Sequence, residues 1–253
     1  MILSAILRRA LALVAEVDLT APCRRDLVAV LEAHHGAWIN VWQDAGLDAG
    51  LAREELIGRG VALYFLSATC NLCDDVMDGD ATYVPAPDAP LAQIVAHNAF
   101  VHALARTTVS RPGIAHATRM LFDVARYQHT ELNAPPWDEE RYRELARCSG
   151  GRQVAAYLRI LWDGTPFEAE AEATGEALGA AIFVRADVAD RDARLLAMPA
   201  ATVRGLLEWA AAAAARAEAG TGCAAIRRVA SQCARSLDEA LAAGPEGPDR
   251  APA

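Results

Sequence analysis

Apolar positions recur along this chain at intervals of three and four residues, and strict apolar–polar alternation is scarce. That spacing predicts helices. We place them at about 2–17, 21–45, 51–78, 89–109, 112–132, 138–162, 167–196, 200–218 and 221–243. The breaks fall on turn-forming stretches: "TAPC", "GLDAG", "VPAPDAP", "SRPG", "NAPPW", "DGTP", "MPA" and "AGTG". No internal repeat is visible. The pattern predicts an all-α fold, a single helical domain over 1–243, with the tail 244–253 ("GPEGPDRAPA") disordered.

One helix departs from the amphipathic rule. From Val61 to Leu72, with Tyr64 and Phe65 inside it, the run is apolar around its whole circumference. Such a helix belongs in a core. It then runs into "CNLCDDVMDGDATYV", which carries Asp74, Asp75, Asp78 and Asp80. Ionised carboxylates repel one another and are costly to desolvate. Either a cation sits among them or the helix ends in water there. On a helix, residues four apart share a face, so Asp74 and Asp78 point the same way with Asp75 beside them. Oxygen donors in that arrangement suit Mg²⁺, which commonly links a few carboxylates to a substrate's phosphates. A solvated helix end is the plain alternative, and the buried run before it favours carboxylates that line a cavity. Cys70 and Cys73 form a lone CxxC without a second pair, and we read them as small core residues.

Composition narrows the classes. The 253 residues include 53% hydrophobic ones, enough for a sizeable core. Net charge is −9 and no basic run exists, which argues against a nucleic-acid partner. All 24 basic residues are Arg, so neither a Schiff-base lysine nor an ammonium for phosphate is present. Six cysteines in a chain of this length do not suggest a disulfide framework, and a cytoplasmic setting is the default. Arg8 and Arg9 interrupt the apolar N-terminal stretch, which reads as an amphipathic helix, and we expect no stable membrane insertion.

"LYFLSATCNLCDDVMDGDAT" resembles the first aspartate-rich motif, DDxxD, of the trans-isoprenyl diphosphate synthases and the related class I terpene synthases. Three further blocks follow in that family's order. "QHTEL" resembles its Gln-x-x-Asp-Leu segment, with Gln128 and with Glu131 in the acidic place. "DEERYRELARCSGGRQVAAYL" resembles the helix that carries a diphosphate-binding Lys-Thr pair. "GEALGAAIFVRADVADRDARL" resembles the helix of the second aspartate-rich motif. The resemblance spans about 55–195. It implies the isoprenoid synthase type I fold, an antiparallel helical bundle around a central cavity. It also implies a prenyl diphosphate substrate, Mg²⁺ as cofactor with up to three ions, and a homodimer among the allowed assemblies.

The departures carry information too. Ala186 stands first in the second motif, which leaves Asp187 and Asp190, and Asp192 is out of register. Ser149–Gly150 replace the Lys-Thr pair, with Arg147 and Arg152 the nearest cations. The N-terminal Gly-Lys-Arg segment is missing, and "GDATYVPAPDAP" has no basic residue where Arg-Arg-Gly would follow the first motif. Elongating members hold a second diphosphate with such cations. The resemblance therefore implies, as first choice, a class I terpene cyclase that ionises farnesyl or geranylgeranyl diphosphate. The alternatives are a prenyltransferase, including a squalene-synthase-like coupler, and a non-catalytic partner subunit.

On the cyclase reading, Asp74, Asp75 and Asp78 hold metal on one wall, and Asp187 and Asp190 on a facing one. Arg152, Arg185, Arg191 and Arg194 are candidates to clasp the diphosphate through forked hydrogen bonds. Tyr64 and Phe65 are candidates for the pocket floor, and Trp38, Trp42, Phe100, Tyr157 and Phe183 for ring faces that steady a carbocation. Each aromatic has ordinary core packing as its alternative. Asp75→Ala or Asp78→Ala should abolish turnover with helix content nearly intact by circular dichroism, and substitution at Asp192 should matter less than at Asp187.

Overall fold

The computed structural model describes residues 2–16, 19–34, 38–132 and 137–244, and among them every regular element is helical, with no strand. Contacts divide the chain into two compact units. The first is Met1–Arg111 with Asp163–Thr165, and the second is Pro112–Trp162 with Pro166–Ala253.

The first unit is organised by its longest helix. α1 (Ile2–Glu16), α2 (Ala21–Ala33), α3 (Trp38–Asp48) and α5 (Ala89–Leu104) all pack against α4 (Arg53–Asp78). The reason is the run singled out above: every residue from Gly60 to Thr69 is buried, as is Leu72. A helix apolar on all sides must be surrounded. At 26 residues α4 is about 39 Å long. It is the one described helix long and apolar enough to cross a bilayer, and 78% of its most apolar window is buried inside the protein. It stops at Gly79, whose left-handed φ of 82° suits a residue without a side chain. The Asp75 carbonyl accepts from the amides of Gly79, Asp80 (2.7 Å) and Ala81 (3.1 Å), so the last turn closes on the acidic motif itself.

Near the other end of α4, Arg59 is only 3% exposed. Its Nε donates to Glu55 Oε1 at 2.6 Å, Nη1 to the Asp163 carbonyl at 2.7 Å, and Nη2 to Thr108 Oγ1 at 3.1 Å. Thr108 donates to the same Glu55 oxygen through both its amide and its hydroxyl. Burial alone would push the Glu55 carboxyl up. The bonds from Thr108 and Arg59 outweigh it, and the carboxyl sits below its ordinary value.

The second unit receives α6 (Arg111–Leu132) from its second residue onward. Then come α7 (Glu139–Ala146), a π turn (Arg147–Gly151), α8 (Arg152–Trp162), α9 (Ala171–Ala189), a short α10 (Ala193–Leu196), α11 (Ala200–Gly220) and α12 (Ala224–Ala243). α9 is the central element, flanked by α7, the π turn, α8, α11 and α12. Ala180, Ala181 and Val184 on α9 meet Ala210, Ala213 and Ala214 on α11 with Tyr142 and Leu207, a core of mostly small side chains. The tightest approach is glycine on glycine: a Cβ on Gly179 would lie 2.1 Å from the Gly150 carbonyl oxygen.

Three sequence expectations change. The helix expected over 21–45 is two helices, α2 and α3, and residues 35–37 between them lie outside the described residues. The helix expected over 138–162 keeps its course but widens to a π turn at Arg147–Gly151, where the paired glycines meet α9. The helix expected over 167–196 ends at Ala189. Asp192 caps α10 by accepting from the Arg194 amide at 2.7 Å, and Arg191 takes a positive φ of 56° to make the turn. Of the tail expected at 244–253, residues 245–253 lie outside the described residues.

Glu55→Gln removes the Glu55 charge beside the buried Arg59 guanidinium and should cost about 3–5 kcal/mol of stability in urea unfolding. The Glu55 carboxyl is lowered on folding, so its contribution is present above the unfolded carboxylate value of about 4.3 and is lost as pH falls through the folded value. The variant should therefore lose less stability than the wild type on acidification.

Candidate functional site

The acidic end of α4 lies in the first unit. Asp74, Asp78 and Asp80 are exposed and Asp75 is half-buried. A hydrogen-bonded chain from three other positions converges on Asp75. Tyr83, in the loop after α4, donates its hydroxyl to Asp75 Oδ2 at 2.7 Å. His34, at the C-terminus of α2, lies with Nε2 2.7 Å from the Tyr83 oxygen and 3.4 Å from Asp75 Oδ2. Asn71, one turn before Asp75 on α4, brings its side-chain amide nitrogen to 3.4 Å from His34 Nδ1. The Tyr83 proton is committed to Asp75, so the Tyr83 oxygen accepts from His34 Nε2–H. That assigns the Nε2–H tautomer and leaves Nδ1 to accept from Asn71.

The electrostatics agree with this arrangement. Burial lowers the His34 pKa, and the Asp75 charge only partly opposes it, so the ring stays neutral. Burial, the hydrogen bond to Asp75 and the Asp75 charge all raise the Tyr83 pKa, so the hydroxyl keeps its proton. The edge of one ring meets the face of the other, with centroids 5.2 Å apart.

Of the expected aromatics, Tyr64, Phe65, Trp42, Phe100 and Tyr157 are buried, and Trp38 and Phe183 are half-buried. Phe65 is fully buried, and Tyr64 gives its hydroxyl to the Leu31 carbonyl of α2 at 2.5 Å. Burial, with the Glu32 charge adding to it, pushes that hydroxyl up to about 12. Trp38 stacks on Trp42 at 4.9 Å, and Tyr157 accepts from Gln153 at 2.6 Å. Phe100 is buried. Cys70 and Cys73 are half-buried rather than core.

The second aspartate motif lies in the second unit. Asp187 Oδ2 accepts from the Tyr142 hydroxyl at 2.5 Å and from Arg194 Nη2 at 3.1 Å. Arg194 also grips Asp192 with Nε at 2.8 Å and Nη2 at 2.9 Å, and lies over the Phe183 ring at 5.8 Å. Phe183 meets Tyr142 edge-on. Tyr142 is fully buried, and burial followed by the Asp187 charge raises its pKa strongly. Asp190 is exposed at the C-terminus of α9. Asp187 and Arg191 also border a pocket of about 280 Å³ whose wall includes Val188, Leu195, Val203 and Leu207.

The other arginines point in different directions. Arg152 pairs with Glu172 of α9 at 2.7 Å, more closely with Glu176, and at 3.9 Å with Asp123 of α6. His116 joins the cluster through Glu172 at 2.9 Å. Arg185 is exposed, and its charge acts on Cys233 of α12, a thiol that burial pushes up to about 11. Arg191 is exposed at the turn after α9, and Arg147 is exposed on the π turn. Gln128 is half-buried on α6. The Glu131 side chain lies outside the described residues.

These donor sets differ in how they would receive a metal. Asp74 and Asp78 offer hard oxygens one turn apart at an exposed helix end, which fits Mg²⁺. Asp187 has a guanidinium and a phenol where a metal's charge would go, which does not fit it. Among the described residues no three His, Cys, Asp or Glu side chains form a ready metal cluster. Sequence reasoning missed His34, Asn71, Tyr83 and Tyr142. Only Tyr83 left a signal, because it sits in the segment where the resemblance expects arginines.

Comparison with known proteins bears on the fold. No protein-family model and no curated protein sequence matches the chain. Solved structures do match. A geranylgeranyl pyrophosphate synthetase from the archaeon Geoglobus acetivorans superposes with a TM-score of 0.73 at 13% identity, covering 93% of this chain and 98% of that one. A geranyltransferase from Legionella pneumophila gives 0.73 at 16%, covering 94% of each chain. A geranyltranstransferase from Thermotoga maritima gives 0.71 at 12%, covering 93% and 97%. The chain has the all-α fold of the trans-isoprenyl diphosphate synthases.

Tyr142→Phe removes a hydroxyl from a carboxylate that is 14% exposed, and should cost about 1.5–3 kcal/mol in urea unfolding. Arg194 keeps Asp187 paired, so the variant should still unfold in a single cooperative transition.

Proposed function

We propose that this chain is a prenyltransferase that takes an allylic prenyl diphosphate as donor. The observation that carries the reading is the end of α4. A helix buried on all sides terminates in Asp74, Asp75 and Asp78, within a fold shared end to end with proteins named as prenyl-chain synthases and transferases. The sequence placed a terpene cyclase first. The neighbours reported above carry synthase and transferase names, and that favours transfer over cyclisation.

The carboxylates of Asp74, Asp75 and Asp78 would hold Mg²⁺, which when bound neutralises the diphosphate and lets the allylic C–O bond break. The closely packed apolar side chains of α4 keep water from that segment of the protein. Within the second unit, Arg152 and Arg194 are paired with carboxylates. A second reading is a non-catalytic partner subunit. It is favoured by one observation: Arg194 and Tyr142 occupy the carboxylate of the second motif.

The deciding experiment incubates the protein with Mg²⁺ and the C10, C15 and C20 allylic diphosphates, each with and without isopentenyl diphosphate, followed by mass analysis of the extract. Transfer predicts a longer product only when both substrates are present. A hydrocarbon from the allylic substrate alone would restore the cyclase, and no diphosphate release under any condition would favour the non-catalytic subunit.

A further inference from the structure

We propose that Tyr83, His34 and Asn71 are positioning residues: together they hold the Asp75 carboxylate in one orientation, with Oδ2 committed to the protein and Oδ1 left for a cation. The proposal rests on the reading of α4 as the metal-bearing end and assigns a role to three residues that the motif itself does not contain.

The direction of the hydrogen bonds carries it. The Tyr83 hydroxyl donates to the ionised Asp75 carboxylate at 2.7 Å, and turning its proton away would set two acceptors against each other. The Tyr83 oxygen then accepts from His34, also at 2.7 Å. His34 accepts the longer bond from Asn71 at 3.4 Å. Every donor therefore faces towards Asp75, and reversing any link would set two donors or two acceptors against each other. Chains of this kind polarise along their length, which strengthens the last bond.

Three backbone segments contribute. His34 ends α2, Asn71 and Asp75 lie one turn apart on α4, and Tyr83 comes from the loop that follows Gly79. The His34 side chain is 10% exposed, so the middle of the chain is sheltered from competing water. Asp75 is half-buried, and its carboxylate is tied on one side by the Tyr83 hydroxyl. Outer groups that fix a metal-binding carboxylate typically change metal affinity by about 10–100-fold when removed.

The chain also accounts for the altered segment after the motif. Where the resemblance expects two arginines and a glycine, this sequence places a phenol that turns back onto Asp75. A cation there would neutralise the carboxylate. A phenol orients it and leaves its charge in place.

Two measurements test the proposal. The first is independent of activity: ¹⁵N NMR of the histidine rings, with the His34 signals assigned by their loss in His34→Ala. Nε2 should be protonated and Nδ1 unprotonated, and the Nε2 signal should move in Tyr83→Phe. An Nδ1–H tautomer, or a signal that ignores Tyr83→Phe, overturns the proposal. The second is the Mg²⁺ dependence of turnover. Tyr83→Phe and His34→Ala should raise the half-saturating Mg²⁺ about 10–100-fold with turnover at saturating Mg²⁺ near wild type. His34→Gln, whose amide N–H can replace Nε2–H, should restore the wild-type value. A purely packing role would lower stability without moving the Mg²⁺ dependence, and that outcome also overturns it. If the wild type turns over none of the allylic diphosphates, the prenyl-transfer reading fails, and the ring-nitrogen spectra still decide the hydrogen-bond chain.

Discussion

A helix with no polar side must leave its core somewhere, and the place where α4 does so sets where its carboxylates lie. Gly60 to Thr69 are all buried, so the helix cannot rotate or slide without exposing apolar surface. Each large side chain moved into water would cost about 1.5–3 kcal/mol. The carboxylates of Asp74, Asp75 and Asp78 are thereby delivered to one spot at the helix end, and Gly79 stops the backbone immediately beyond them. Charge placed by apolar packing is more firmly located than charge placed by surface ion pairs, which contribute little and rearrange easily.

The two aspartate motifs have taken opposite courses. At Asp75 the surrounding groups are neutral: a phenol, an uncharged imidazole and an amide. They orient the carboxylate and preserve its charge. At Asp187 the partner is a guanidinium, doubly bonded to Asp192 as well, so the local charge is already balanced. This asymmetry is why the proposed function is built on the first motif and not on the second.

Much of the fold was legible because helical periodicity is a strong signal over long segments. α4 could be read as central from its composition alone, and its end at Asp78 was placed correctly from the turn-forming stretch that follows. The break after Ala189 was not legible, since it depends on Asp192 capping a four-residue helix while Arg191 adopts a left-handed backbone. Spacing reports faces, not caps. The same limit applied to the site. Asp74, Asp75 and Asp78 stood out as a cluster, whereas His34 and Tyr83 lie 41 residues before and 8 after Asp75 and meet it only through tertiary packing. Arg152 and Arg194 stood out as candidates to clasp a diphosphate, and only the structure shows the carboxylates they pair with.

The contact of Gly150 with Gly179 brings two backbones together with no side chain between them. Side chains act as springs, and where there are none a junction is stiff. Asp187 lies eight residues further along the same helix, about 12 Å from this joint. A methyl group added at 179 would therefore work like a shim under a lever, tilting α9 and displacing its far end by more than the thickness inserted.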